Sequence, residues 1–209
     1  MNITLIGTGN MGSAFARQLF AAGHQVRVTG RDLAKARALA AQFDGVEACE
    51  PQQALAGNDV VIVATAYDDA VAALKSLGSL DGKIIIDITN PLTADYMGLS
   101  IGHSTSAAEE IARAIPGAEV VKGFNTLFAQ VLAAGPVFAG DAVGTVFVAS
   151  DSERARQTAQ ALAHSLGWHT LDAGGLSNAR YLEALAGLNI YLGYGAGLGT
   201  QIAPAWLSR

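Results

Sequence analysis

The chain lacks most of what disulfide, metal or nucleophile chemistry would need. It has a single cysteine, Cys49, among 209 residues, so no internal disulfide can form and the thiol is expected to be inert packing. Its four histidines, His24, His103, His164 and His169, fall in no metal-ligand spacing and beside no Ser or Cys nucleophile arrangement, so neither a metal centre nor a triad is indicated. No lysine follows Lys122, which makes a hydroxyacid dehydrogenase with a proton-donating lysine on a C-terminal helix hard to build. Basic excess is missing too. With a formal net charge of -5, nucleic acid and anionic membrane surfaces are poor partners. No basic region precedes the first apolar run, which is too short for a signal peptide, and a cytoplasmic protein is expected.

Charge is also absent from Ala184 to Ser208, a stretch long enough to cross a bilayer. Gly187, Gly193, Gly195, Gly197 and Gly199 make it a poor lipid-facing helix, and Pro204 follows. The expectation is therefore a buried or subunit-facing helix and no membrane. Tyr191, Tyr194 and Trp206 are of types enriched at interface cores, and they point to a two-fold homodimer built partly on this element.

What the chain does have begins at its first residues. Met-Asn-Ile-Thr-Leu-Ile runs into Gly7-Thr-Gly9-Asn-Met-Gly12, a strand feeding a phosphate-cradling turn. Gly7 allows the tight turn, Gly9 lets backbone approach a pyrophosphate, and Gly12 lets the following helix pack on the sheet. Strand signals at 3–6, 25–28, 60–64, 83–88, 119–122, 145–149 and 168–171 alternate with helical runs at 13–22, 33–43, 70–77, 107–115 and 154–166. The alternation predicts an α/β Rossmann fold, doubly wound with a mostly parallel sheet, and a small helical C-terminal element. The boundary is placed near Ala173: a dinucleotide-binding domain over 1–173, and a C-terminal element over 174–209 that packs on the domain or on a second subunit. Ser106-Ala-Ala-Glu109 reads as a capping box, which accounts for Glu109 without catalysis.

The residues past the second strand select the cofactor. An NAD site has an Asp or Glu there, roughly 20 residues beyond the glycines; this chain has Thr29-Gly30-Arg31, with Lys35 one turn on. A guanidinium fork and a neighbouring ammonium suit a 2′-phosphate, so NADP is expected, with Asp32 as a helix N-cap. The nicotinamide end should lie along the later strand ends: Ala64-Thr65-Ala66-Tyr67, Thr89-Asn90-Pro91-Leu92 and Gly123-Phe124-Asn125-Thr126. Asn90 and Asn125 can each serve a carboxamide or hold their own loop through an Asx turn. Phe124, Phe128 and Tyr67 are candidate pocket walls, and His103 a candidate from the long loop. No residue is assigned as a catalytic acid or base. The chemistry that fits is direct hydride exchange between two redox-active rings, because the cofactors supply the reactivity and the protein orients them. A redox sensor that binds NADP(H) without turnover shares the same glycine turn.

With those residues in view, the chain resembles the NADPH:deazaflavin oxidoreductases that use coenzyme F420. Gly7-Thr-Gly-Asn-Met-Gly, Gly30-Arg31 with Lys35, the Ser106–Glu109 helix start and Asp172-Ala-Gly-Gly-Leu-Ser-Asn-Ala-Arg-Tyr-Leu-Glu-Ala-Leu carry the resemblance nearly end to end. It implies that Thr8, Gly9, Asn10 and Met11 contact the pyrophosphate, Gly30, Arg31 and Lys35 the 2′-phosphate, and Thr65 and Ala66 the ribose-nicotinamide half. Tyr67-Asp68 departs from the Pro-aromatic pair common there. Val121-Lys-Gly-Phe-Asn-Thr looks more like bacterial dinucleotide-binding oxidoreductases and the reductase domain of membrane ferric reductases, which pair NADPH with a flavin. The small-molecule acceptor implied is thus deazaflavin F420 or a flavin.

Overall fold

In the computed structural model, which describes residues 1–206, the first strand already shows how the core is fed. β1 (Asn2–Ile6) is apolar on both faces, as a central parallel strand must be. Ile3 and Leu5 enter one hydrophobic cluster and Ile6 enters the other. The same alternation sends Ile62 of β4 (Val60–Val63) and Ile84 and Ile86 of β5 (Ile84–Asp87) to one side, and Val61, Val63 and Ile85 to the other. With β2 (Gln25–Thr29), β3 (Val46–Ala48) and β6 (Glu119–Lys122), these strands form a six-stranded parallel sheet of order β3-β2-β1-β4-β5-β6. That is a doubly wound Rossmann sheet, as expected.

The register positions everything that follows. Ile6 pairs with Thr29 and with Val63, Val63 with Asp87, and Asp87 with Lys122. These five residues form one row across the sheet. The next residues of each strand, Gly7, Gly30, Ala64, Ile88 and Gly123, therefore emerge at one rim. The order reverses between β1 and β4, and ligands bind at such a switch point.

Helices α1 (Asn10–Ala21), α2 (Leu33–Ala40) and α6 (Glu153–Ser165) cover one face, and α3 (Tyr67–Lys75) and α4 (Ala107–Ala114) the other. Asp32 caps α2 by accepting from Ala34 N and Lys35 N, the role read for it. β7 (Thr145–Val148) and β8 (His169–Asp172) pair in parallel around α6. A single antiparallel bridge, Lys122 to Ala149, joins them to the main sheet, so the sheet is mostly parallel.

Two elements were absent from the expected set. β3 is three residues long with only Val46 fully buried, too short to show a period. α5 (Ala129–Ala134) has six residues and is sustained by packing against α1, with Val131 and Leu132 in the core, not by helix propensity. The expected helix over 33–43 stops at Ala40.

The C-terminal element begins with a turn at Leu176–Asn178, continues as α7 (Ala179–Ile190) and ends in a π-helical turn at Tyr191–Gly195. Its final positions, 207–209, lie outside the described residues. Among the described residues, no helix is long and apolar enough to cross a membrane.

Candidate functional site

The glycine turn is sterically specified. Gly7 has φ +117°, and a Cβ there would lie 2.3 Å from Ala64 O on the neighbouring strand end; a Cβ on Gly12 would lie 2.1 Å from Gly7 O. No side chain can replace either hydrogen without moving backbone. Gly9 differs, since a Cβ there would meet nothing within 4 Å. It is the N-cap of α1 and offers no side-chain bond, and the first turn of α1 holds no acidic residue. The first intrahelical donor is Ser13 N, to Gly9 O at 2.8 Å. The N–H groups of residues 10–12 thus have no partner within the helix and carry the positive end of its dipole, an arrangement that fits a pyrophosphate.

Beside that turn, Arg31 is 88% exposed and makes one long contact, 3.4 Å to Asp69 at the start of α3. Lys35 lies 3.9 Å from Asp32. Neither cation is committed to a tight pair, so both can turn to a 2′-phosphate. Thr65 Oγ1 donates to Ala66 O (2.9 Å), and Ala66 is the N-cap of α3.

At the other end of the rim lies an open cleft of about 190 Å³. Met11 comes from the glycine turn, Ile88 and Asn90 from the end of β5, and Asn125, Thr126 and Phe128 from the turn after β6; Tyr96 comes from the long loop, and Ala186, Asn189, Ile190 and Tyr194 from α7 and its π-helical turn. Among the described residues, no carboxylate, amine or imidazole lines it. Of the expected residues, Met11, Asn90, Asn125, Thr126 and Phe128 meet here. Thr65, Ala66, Tyr67 and Pro91 do not line it.

Tyr67 heads α3 toward α4; burial, then the charges of Glu110 and Glu183, push its phenol up. Phe124 is not a wall, because it is fully buried edge-on to Phe15 of α1 at 5.2 Å. Its left-handed φ of +59° is a backbone strain that aims the next two residues at the cleft. His103 also has φ +62° but is exposed and lies away from the cleft. Cys49 is half-buried, and burial pushes its thiol up, which leaves it protonated.

The two asparagines lock each other and not their own loops. Asn90 Nδ2 donates to Asn125 O (2.8 Å), and Asn125 Nδ2 donates to Asn90 Oδ1 (2.9 Å) and to Leu182 O on α7 (3.0 Å). Asn189 Nδ2 donates to Thr126 O (3.1 Å). This leaves Asn125 Oδ1, Thr126 Oγ1 and Thr89 Oγ1 buried without a partner. Such atoms call for a ligand or water; a carboxamide or ring N–H would satisfy Asn125 Oδ1.

Directly beneath is a charge cluster that the sequence did not announce. Lys122 Nζ donates to Asp87 Oδ2 (2.7 Å) and Thr89 O (2.7 Å) and pairs with Glu183 Oε1 (2.8 Å). The three side chains are 0%, 0% and 1% exposed. Glu183 also accepts from Ala107 N (2.9 Å) and Ala108 N (3.2 Å), the open end of α4. Burial pushes its carboxyl up, opposed by the Lys122 ammonium. Only half of the expected capping box forms: Ser106 Oγ accepts from Glu109 N (3.2 Å), but the Glu109 carboxylate accepts from Arg180 of α7 (2.6 Å) and from the Ser106 hydroxyl (2.8 Å) and not from the Ser106 N–H. No three His, Cys, Asp or Glu side chains among the described residues converge as a metal ion would require.

Two glycines of the C-terminal element are packed within the chain, whereas a Cβ on Gly197 or Gly199 would meet nothing within 4 Å. A Cβ on Gly193 would lie 2.6 Å from the Phe128 ring, and one on Gly195 would lie 2.8 Å from the Tyr191 ring. What faces solvent is Tyr181, Leu188, Tyr191, Tyr194 and Trp206, each at least half exposed.

Comparison with known proteins agrees with this geometry. Residues 2–91 match the family model for NADP oxidoreductase, coenzyme F420-dependent. The F420-dependent NADP reductase of Methanothermobacter marburgensis is 31% identical, with 92% of each chain covered. The rat metalloreductase STEAP3 is 29% identical over 88% of this chain but only 36% of its own length, so the chain spans about a third of such relatives. A crystal structure of a candidate F420-dependent NADP reductase from Arthrobacter sp. FB24 superimposes with a TM-score of 0.85 at 30% identity, covering 96% of both chains.

Proposed function

The chain belongs to the coenzyme F420-dependent NADP oxidoreductase family, and from that premise we propose that it transfers hydride between NADP(H) and a deazaflavin or flavin ring without a dedicated acid–base residue. The observation that carries this reading is the cleft next to the glycine turn, with no charged side chain of the described residues on its walls and with the partnerless Asn125 and Thr126 oxygens buried behind it. An uncharged ring suits it. A 2-oxo acid or an anionic chelate would find no cation there.

NADPH, when bound, supplies the hydride. Gly7, Thr8, Gly9, Asn10 and Met11 are assigned to its pyrophosphate, Gly30, Arg31 and Lys35 to the 2′-phosphate, and Thr65 and Ala66 to the ribose-nicotinamide half. Asn90, Asn125 and Thr126 orient the two rings by hydrogen bonds, and Phe128, Ile190 and Met11 exclude water from between them. Reduction of the acceptor takes up one proton with the hydride, and the open mouth beside Tyr96 and Tyr194 delivers it from solvent. At about 190 Å³ the cleft is smaller than a typical pre-formed ligand pocket of roughly 300–1,000 Å³. One ring is therefore enclosed and the rest of the acceptor lies at the mouth. Tyr67 and Pro91, expected at the cofactor, take no part in this assignment.

Anaerobic mixing of NADPH with deazaflavin F420, FAD, FMN and ferric chelates tests the reading. Oxidation of NADPH by a ring acceptor is expected, whereas tight NADPH binding with no oxidation by any of the four would indicate an NADP(H) sensor. The same reading includes a two-fold homodimer through the exposed face of α7, with Tyr181, Leu188 and Tyr191 at its centre. Sedimentation at micromolar concentration should give a dimer that Leu188→Arg dissociates; a clean monomer of the wild type would reject it.

A further inference from the structure

The Asp87–Lys122–Glu183 cluster does not reach the cleft, yet it joins β5, β6 and α7, the three elements whose ends or faces carry Asn90, Asn125 and Ile190 of the cleft. Lys122 ends β6, Asp87 ends β5, Glu183 lies in α7, and the Glu183 carboxylate closes the N-terminus of α4. All three N–H bonds of the ammonium are used, on Asp87, Thr89 O and Glu183. Both Glu183 oxygens accept, and Asp87 Oδ1 accepts from Thr89 N at 2.8 Å. Two carboxylates face one ammonium, and the α4 dipole supplies the remaining positive potential.

Such a joint is directional where an apolar one is not. Side chains three and seven positions after Glu183 share its face of the helix, and these are Ala186 and Ile190, two residues of the cleft wall. At the residue just before Glu183, Asn125 Nδ2 bonds Leu182 O, and further along the helix Asn189 Nδ2 bonds Thr126 O. The height and rotation of α7 against the strand ends are therefore fixed from the Lys122 contact upward, and both asparagines that face the ligands are referenced to it.

We propose that Lys122, clamped between Asp87 and Glu183, is the positioning residue for the acceptor: it sets the separation of α7 from the β5 and β6 ends, and so the width of the cleft, without touching either ring. This rests on the acceptor reading above. The cofactor's phosphates are gripped elsewhere on the rim, so the effect of Lys122 is selective. A role in stability alone would act on both ligands equally.

Lys122→Met by itself strands two buried carboxylates and can prevent folding. The decisive variant is Asp87→Asn/Lys122→Met/Glu183→Gln, in which every charge is gone while one amide oxygen at position 87 remains to accept from Thr89 N–H and one at position 183 remains to accept from Ala107 N–H. Three measurements on it and on wild type settle the point: NADPH affinity by calorimetry, amide hydrogen exchange over residues 186–195, and steady-state reduction of the acceptor that wild type uses. The expected result is an NADPH Kd within about threefold of wild type, faster exchange in α7, and kcat/KM for the acceptor lower by about 100-fold through misplacement of the ring. Wild-type exchange and turnover in the triple variant would overturn the proposal, as would loss of NADPH affinity in parallel with turnover. If wild type reduces no deazaflavin or flavin, the acceptor reading has failed, and the exchange measurement still decides whether Lys122 anchors α7.

Discussion

The two ends of the crevice are built by opposite means. The cofactor end is local: twelve residues of one strand and turn create a pocket of backbone N–H groups, and its two cations stay exposed and uncommitted. The end we assign to the acceptor is assembled from the ends of β5 and β6 and from α7, held by ions that see no water and by an asparagine pair whose members are 35 residues apart. The comparison teaches that binding and placement are separable here. A phosphate needs open donors, whereas hydride transfer needs a fixed wall.

The largest effect expected is at that wall. Lys122→Met leaves Asp87 and Glu183 buried against each other and should lower unfolding free energy by about 3–5 kcal/mol, read as a shift in the urea midpoint; a loss under about 1 kcal/mol would break the contrast. Gly12→Ala comes next, because its Cβ meets backbone at 2.1 Å, a strain worth about 1–3 kcal/mol, and NADPH binding should go with it. Gly9→Ala sharpens the same point. With open space around its Cβ and an ordinary φ of -79°, it should keep its stability within about 0.5 kcal/mol while the methyl group intrudes on the pyrophosphate and weakens NADPH.

Cofactor choice should rest on one guanidinium. Calorimetry of NADPH against NADH is expected to show a preference of about 1–3 kcal/mol from a charge-assisted bidentate contact. Arg31→Ala should erase most of it and leave NADH binding nearly unchanged; equal affinities in wild type would contradict the assignment.

The smallest effects are in pH. The Arg180 guanidinium holds the Glu109 carboxyl below its usual range, so the stability from this α4–α7 link is present above the unfolded value, about 4.3, and is lost as pH falls through the lower folded value. Glu109→Gln should flatten the acid limb of the stability curve. Glu183 has the opposite sign: burial raises its pKa, so its contribution is fully present below the unfolded value and declines as pH rises through the folded one. Glu183→Gln should remove that decline.

Much of the glycine turn and of the helix start beside it was legible because its determinants are contiguous. Gly7 and Gly12 sit where a Cβ would meet backbone, the missing ribose acid and Arg31 are neighbours in sequence, and Asp32 caps the helix that follows. The acceptor end was legible only in part. Asn90 and Asn125 stood out as amides at strand ends, but periodicity does not reveal that they bond each other, nor which acid reaches Lys122 from 35 residues before it and from the distant α7. Asn189, Ile190 and Tyr194 were hidden in a charge-free run read as an interface helix; the register of α7 on the sheet places them in the cleft. Phe124 looked like a wall because it adjoins Asn125, and a left-handed turn sends it into the core instead.

The most direct test is isotopic. NADPH carrying deuterium at the reactive nicotinamide carbon, mixed anaerobically with the protein and oxidised deazaflavin, should lose that deuterium to the ring carbon of the reduced deazaflavin, with none released to water. Tight binding of NADPH with no deuterium reaching the acceptor, or its washing out into solvent, would contradict direct transfer between two rings held in one cleft.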